Sequence, residues 1–145
     1  MSKRLLLLVF TVGLLLALGG CTIRQQELKD GYYCAEMSAY QNGWKEFVTI
    51  RVSGGEIVSV EYNAKNAAGF IKSWDMSYMR RMNSHAGTYP NRYTRSYGAA
   101  LLEAQTPEGI DIVTGASSSG GNFKAMSAAL LEKARAGDNT IAIVK

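Results

Sequence analysis

A hydroxyl- and glycine-rich run, Thr114-Gly115-Ala116-Ser117-Ser118-Ser119-Gly120-Gly121, is where this chain gathers groups able to do chemistry. Asp111 and the β-branched pair Ile112 and Val113 precede it, and Phe123, Met126, Leu130, Leu131 and Ala134 follow at the three- and four-residue spacing of an amphipathic helix. A helix that begins in such a run presents unpaired backbone N–H groups and the positive end of its dipole, which favour an anion such as phosphate. Gly115, Gly120 and Gly121 would let the backbone approach a ligand without Cβ interference. Thr114, Ser117, Ser118 and Ser119 carry hydroxyls that can hydrogen-bond phosphate oxygens, cap the helix, or hold a covalent bond. By residue type alone, a plain turn with an N-cap competes with an anion site.

Other reactive constellations are sparse. His85 is the one histidine, and no cluster of cysteine, histidine or carboxylate surrounds it in sequence, so it reads as an exposed loop residue. The G-x-S-x-G pattern of a hydrolase nucleophile is absent. The expectation is therefore no metal, no catalytic residue and no reaction catalysed by the chain unaided.

The spacing Asp111-x-x-Thr114-Gly115-Ala116-Ser117 resembles the D-x-x-(S/T)-G-A-(T/S) signature of the FMN-binding domain family. That family includes the flavin-carrying subunits of sodium-pumping NADH:quinone oxidoreductases and of related electron-transport complexes. The resemblance runs from about residue 31 onward and is closest to small lipoproteins of the family, with Trp44-Lys45 and Tyr62-Asn63-Ala64-Lys65-Asn66 also similar. It implies FMN as cofactor, joined through its phosphate by a flavin transferase to the hydroxyl of Ser117, where the family usually has threonine. It further implies Thr114, Gly115, Ala116, Ser118 and Ser119 around the phosphate, and Asp111 as the carboxylate that the transferase reads. Tyr62, Asn63 and Lys65 become the expected contacts of the flavin ring. Serine keeps the nucleophilic hydroxyl and lacks only the methyl that restricts χ1.

The elements that must position this run are legible from hydrophobic period. Residues 31–39 alternate Tyr33, Ala35, Met37 and Ala39 against Tyr32, Cys34, Glu36 and Ser38, residues 47–52 alternate Val48, Ile50 and Val52, and residues 57–62 alternate Val58, Val60 and Tyr62. Gln41-Asn42-Gly43 and Ser53-Gly54-Gly55-Glu56 supply turns, giving a three-stranded antiparallel meander with one covered face. Residues 70–82 change to helical period through Ile71, Trp74, Tyr78 and Met82. Such a face normally packs on a core, and Trp74, Tyr78 and Met79 are also flat or apolar groups suited to a flavin ring. A loop over 83–89 stops at Pro90, and Asn91 can cap a helix carrying Tyr93, Tyr97, Leu101 and Ala104. Residues 140–144 add a last strand. The fold class is α+β: an antiparallel sheet, the meander plus later strands, packed with about three helices.

At the N-terminus, Lys3-Arg4 precedes an apolar stretch over 5–18, shorter than the roughly 18 to 20 residues that span a bilayer as a helix. Leu18-Gly19-Gly20-Cys21 resembles a bacterial lipobox, in which the cysteine is lipidated and becomes the new N-terminus. The organisation is a lipoprotein signal peptide over 1–20, a polar tether over 21–30 and one FMN-binding domain over 31–145. With Cys21 acylated, Cys34 has no intrachain partner, so the chain has no disulfide and Cys34 reads as a small core residue. Lys3 and Arg4 account for two of the sixteen basic residues, so the rest is only slightly basic and nucleic acid is not an expected partner.

Two functions follow. One is a membrane-anchored, extracytoplasmic or periplasmic FMN protein that carries electrons and works with a flavin transferase and a membrane redox partner. The other is a lipoprotein of the same fold that binds a non-flavin ligand or a partner protein and has no redox cofactor.

Overall fold

The computed structural model describes residues 27–145. The signal peptide, Cys21 and most of the tether lie outside these residues. Strands β1 (Gly31–Met37), β2 (Lys45–Ser53) and β3 (Glu56–Lys65) form the antiparallel meander, and β4 (Ala142–Val144) adds to the free side of β1 in parallel, giving the order β3-β2-β1-β4. Three helices follow the meander: α1 (Met76–Ala86), α2 (Pro90–Ala104) and α3 (Ser117–Ala136). The fold is α+β, with a single parallel pair in an otherwise antiparallel sheet.

Alternation decides which face is covered. Tyr33, Ala35 and Met37 on β1 and Val48, Ile50 and Val52 on β2 are buried beneath α3, with α2 covering β3, whereas Tyr32 and Arg51 point to the open face. On β3 the expected alternation slips. Val52 pairs with Ile57 but Arg51 pairs with Ser59, so Val58 is the extra residue of a β-bulge. Ile57 takes the buried position and Val58 is exposed, before Tyr62 returns to the core.

Between β3 and α2 the structure departs from the periodic reading. Residues 70–82 are not one helix: Lys72–Trp74 is a short 3-10 turn, and α1 starts only after Asp75, whose carboxylate accepts from Tyr78 N at 2.8 Å as an N-cap. The helix runs past residue 82 and ends on Gly87, so His85 sits exposed in its last turn and not in a loop. No residue of α1 is fully buried and Trp74 is 63% exposed, so the core-facing role expected for this stripe is met in part, through Met82, which packs half-buried against the core. Its apparent stripe mixes residues from two elements with different period. Tyr89, not Asn91, is the N-cap residue of α2, because Pro90 occupies the first helical position.

The core centres on Tyr62, Tyr93, Tyr97 and Phe123, with Phe123 4.9 Å from Tyr62 and stacked on Tyr97 at 5.3 Å. Part of the expected tether belongs to this body. Lys29 N donates to Ala134 O, Tyr33 Oη donates to Lys29 O, and Gly55 N donates to Asp30 Oδ1. Those bonds fix where the chain enters: at the end of the sheet carrying Gly54 and Gly55. Cys34 is a free thiol, half-buried on the open face and outside the core.

Candidate functional site

The hydroxyl-rich run lies at the opposite end of the sheet. β1 climbs from the chain's entry point to Met37, about 20 Å at the usual rise per residue, and the following turn leads to Trp44 and Glu46. There a cleft of about 210 Å³ opens between this turn, α1, and the start of α3. Gly115, Ala116, Ser117, Ser118 and Ser119 line it together with Trp44, Tyr78 and Met82, and Glu46, Lys72 and Tyr93 also line it. Trp44 and Tyr78 meet edge to face at 6.1 Å.

Core tyrosines hold the motif in place. Tyr97 Oη accepts from Val113 N at 2.8 Å and donates to Ala116 O at 3.3 Å, so one buried hydroxyl clamps both sides of the bend. Tyr62 Oη donates to Ser119 O at 2.9 Å. Burial pushes the hydroxyls of Tyr62, Tyr93 and Tyr97 above the usual phenol range, which keeps them protonated donors. Gly115 and Gly120 pack against protein and do not make room for a ligand. A Cβ on Gly115 would stand 2.3 Å from Ala86 O, and one on Gly120 would stand 2.3 Å from Tyr97 Oη, whereas Gly121 faces open space.

Helix α3 begins without a side-chain cap, because the N-cap position is Ala116. The capping role open to the motif hydroxyls is therefore not the one they take. Ser119 Oγ donates to Glu46 Oε1 at 2.6 Å and Asn122 Nδ2 donates to Glu46 Oε2 at 2.7 Å, which satisfies both oxygens of this buried carboxylate. Ser117 and Ser118 are exposed at the first two helical positions, beside backbone N–H groups that lack helical partners.

Not every residue singled out in the sequence comes to the cleft. Thr114 is exposed and lies off the lining, and Asp111 is exposed in a separate depression along α2 with Glu103 and Glu108. The expected ring contacts also lie elsewhere. Tyr62 is 1% exposed and committed to the core. Asn63 Nδ2 is taken up by Glu61 and Ser73, and Lys65 is ion-paired with Glu36 at 2.6 Å. The strand ends, but its side chains are already engaged.

Glu46 and Lys72 were not foreseen. Glu46 has the same parity on β2 as buried Val48, Ile50 and Val52, and a carboxylate on the apolar face of a strand is a readable signal. Lys72 is 91% buried (9% exposed), and its Nζ lies 4.8 Å from the centre of the Tyr78 ring. Burial works against its ammonium, yet the hydroxyls of Tyr93 and Tyr78 and the charge of Glu46 outweigh this and hold it above the usual lysine range. Among the described residues no group of three or more potential metal ligands occurs, and no helix is long and apolar enough to cross a membrane.

The fold is a small α+β domain whose cleft joins a hydroxyl-rich helix N-terminus to the side chains of Trp44, Tyr78 and Met82. The chain is 36% identical over 130 residues to the 15 kDa lipoprotein of Treponema pallidum (strain Nichols), covering 89% of this chain and 91% of that protein, and it belongs to the same family. The crystal structure of the CPE2226 protein from Clostridium perfringens superposes with a TM-score of 0.77 at 34% identity, covering 81% of this chain and 97% of the other. A solution structure from Clostridium thermocellum is 29% identical with a TM-score of 0.47, covering 79% of this chain and 95% of that one. No family model matches the sequence.

Proposed function

We propose that this cleft is a flavin site and that the protein is a lipid-anchored electron carrier. The supporting observation is the placing of Ser117: an uncommitted hydroxyl at the first position of α3, on a cleft that Trp44, Tyr78 and Met82 also line. The helix N-terminus and the hydroxyls of Ser117 and Ser118 suit the phosphate of FMN, and Trp44 and Tyr78 suit a flat apolar ring. Ser117 Oγ is then the acceptor of the phosphoester made by a flavin transferase. Bound flavin supplies one- or two-electron chemistry, and the protein contributes orientation, access and local charge. Asp111 stands outside the cleft, as suits a residue read during maturation.

Cys21 carries the lipid in this reading, in line with the name of the Treponema relative. The cleft then opens at the end of the sheet remote from Lys29 and Asp30, where the tether joins the body. Its redox partner approaches from the side away from the lipid attachment.

The second reading is a lipoprotein whose cleft takes a non-flavin ligand or a partner protein. What favours it is that no family model of a flavin domain matches, and that the Treponema relative is named for its anchor alone. Co-expression with a flavin transferase, denaturation and intact-mass measurement separates the two. The flavin reading expects a yellow polypeptide with an FMN-sized increment that Ser117→Ala abolishes and Ser117→Thr retains. A colourless wild-type chain that also fails to bind free FMN leaves the second reading standing.

A further inference from the structure

Charge is unevenly divided over the folded domain. Residues 70–98 hold five basic residues, Lys72, Arg80, Arg81, Arg92 and Arg95, and one acidic residue, Asp75, whereas the other described residues hold eight basic and eleven acidic. All four arginines are exposed, and among the described residues only Arg95 of the four makes an ion pair, with Glu61. Apolar surface lies among these charges. Phe70, Trp74 and Met76 are exposed, and the rings of Phe70 and Trp74 meet edge to face at 5.8 Å. Beside them a groove of about 310 Å³ is lined by Met76, Met79, Arg80 and Asn83 of α1 and by Tyr89 and Asn91 at the start of α2. Aromatic residues, methionine and arginine are the side chains that protein interfaces concentrate, and an exposed apolar patch rimmed by polar groups marks an interaction surface.

We propose that this face docks an acidic protein, one that presents carboxylates to the arginines and an apolar side chain to the groove. The groove takes a projecting side chain, which a folded protein offers and a bilayer surface does not. Position argues the same way. α2 ends at Gln105, whose side chain bonds both Ile57 N and Ile57 O, close to the Gly54 and Gly55 turn where the tether joins the body. The start of this 15-residue helix, and the groove with it, therefore lies about 20 Å away, at the cleft end of the sheet and remote from the lipid attachment. Met76, Arg80 and Asn83 stand about half a turn round α1 from Tyr78, which lines the cleft. A protein seated in the groove is then separated from the cleft by one helix, about 10 Å across. The proposal holds whether or not the cleft takes flavin.

The test is photo-crosslinking of the full chain in its native cell, with p-benzoylphenylalanine in place of Met79 as the probe. Irradiation is expected to join the chain to one protein, and mass spectrometry of the joined peptide to place the contact on a surface rich in aspartate and glutamate. Arg80→Glu with Arg81→Glu should cut the yield by about tenfold or more, because like charges then face each other, while Arg80→Lys with Arg81→Lys retains it. Circular dichroism and melting temperature of both double variants stay at wild-type values. The same probe in place of Thr49, on the open face of the sheet, should not capture that protein. No crosslink from position 79, a crosslink to lipid or to a second copy of this chain, or a yield that the charge reversal leaves unchanged overturns the proposal. None of these outcomes bears on the flavin reading, which the mass measurement above decides separately.

Discussion

Ser119 on α3 and Glu46 on β2, 73 positions apart, are joined by a 2.6 Å hydrogen bond at the floor of the cleft. The same carboxylate takes Asn122 one turn further along α3, so a buried acid pins the first two turns of the helix to the sheet. Helix starts are commonly fixed by a cap, and here Ala116 offers none. Fixing the helix from the sheet instead leaves Ser117 and Ser118 open to the cleft.

Removing that carboxylate leaves two donors unsatisfied. Glu46→Ala is expected to lower unfolding free energy by about 2–4 kcal/mol, since each buried polar group left unpaired costs about 1–3 kcal/mol. Glu46→Gln, which keeps one acceptor, should cost less than half of that. Urea denaturation of the three proteins ranks them, and equal midpoints for Glu46→Ala and wild type would show that the contact carries no stability.

Acid sensitivity arises at the neighbouring strand. Glu36 is nearly buried, which alone would raise its carboxyl, but hydrogen bonds and charge from Lys45 and Lys65, each at 2.6 Å, hold it below its ordinary value of 4.5. A carboxyl depressed in the folded state contributes stability that is fully present above pH 4.5 and is lost as pH falls through the folded-state value. Glu36→Gln should therefore flatten the acid limb of the stability profile below pH 4.5. Thermal melts at stepped pH measure this, and parallel acid limbs in variant and wild type would exclude Glu36 as the source.

Period alone made the meander readable, because Tyr33, Ala35, Met37, Val48, Ile50 and Val52 each fall on the covered face. It could not reveal the bulge at Val58, which inserts one residue into a pattern of period two and leaves composition unchanged. The stripe of Ile71, Trp74, Tyr78 and Met82 misled for a related reason: Asp75 restarts the backbone as a cap, so spacing counted across it has no meaning. Within the candidate site, residues 115–119 were found because they are contiguous. Glu46 and Lys72 come from β2 and from the turn after β3, and only the folded sheet brings them to the same cleft. Lys72 has no signal at all in its neighbours Ile71 and Ser73.

Tyr97 gives the motif its shape from below. Tyr97→Phe keeps the ring stacked on Phe123 but removes the hydroxyl that accepts from Val113 N and donates to Ala116 O. The expected loss is about 1–2 kcal/mol for the two bonds. Amide hydrogen exchange at Val113 should rise while exchange in the strands stays close to wild type. A rise spread evenly over the whole domain would mean that the hydroxyl supports the fold generally and not the bend.

Gly115 and Gly121 lie six positions apart in one glycine-rich run and should respond oppositely to the same substitution. Gly115 has φ of 82° and its added methyl would meet the Ala86 carbonyl oxygen at 2.3 Å, so Gly115→Ala forces both strained backbone and displacement of the end of α1. Strain of this kind costs about 1–3 kcal/mol before the clash is counted. Gly121 lies inside α3 with nothing within 4 Å of the new methyl, and Gly121→Ala removes backbone freedom from the unfolded chain, worth about 0.5–1 kcal/mol of added stability. Because Ala86 closes the helix that carries Tyr78 and Met82, the Gly115 variant should also widen the cleft and, on the flavin reading, weaken binding of free FMN, whereas the Gly121 variant should bind as wild type does. Melting curves and flavin fluorescence titrations on the same preparations decide the matter: a Gly115→Ala protein as stable and as retentive as Gly121→Ala would mean that the contact with Ala86 does not hold the two sides of the cleft together.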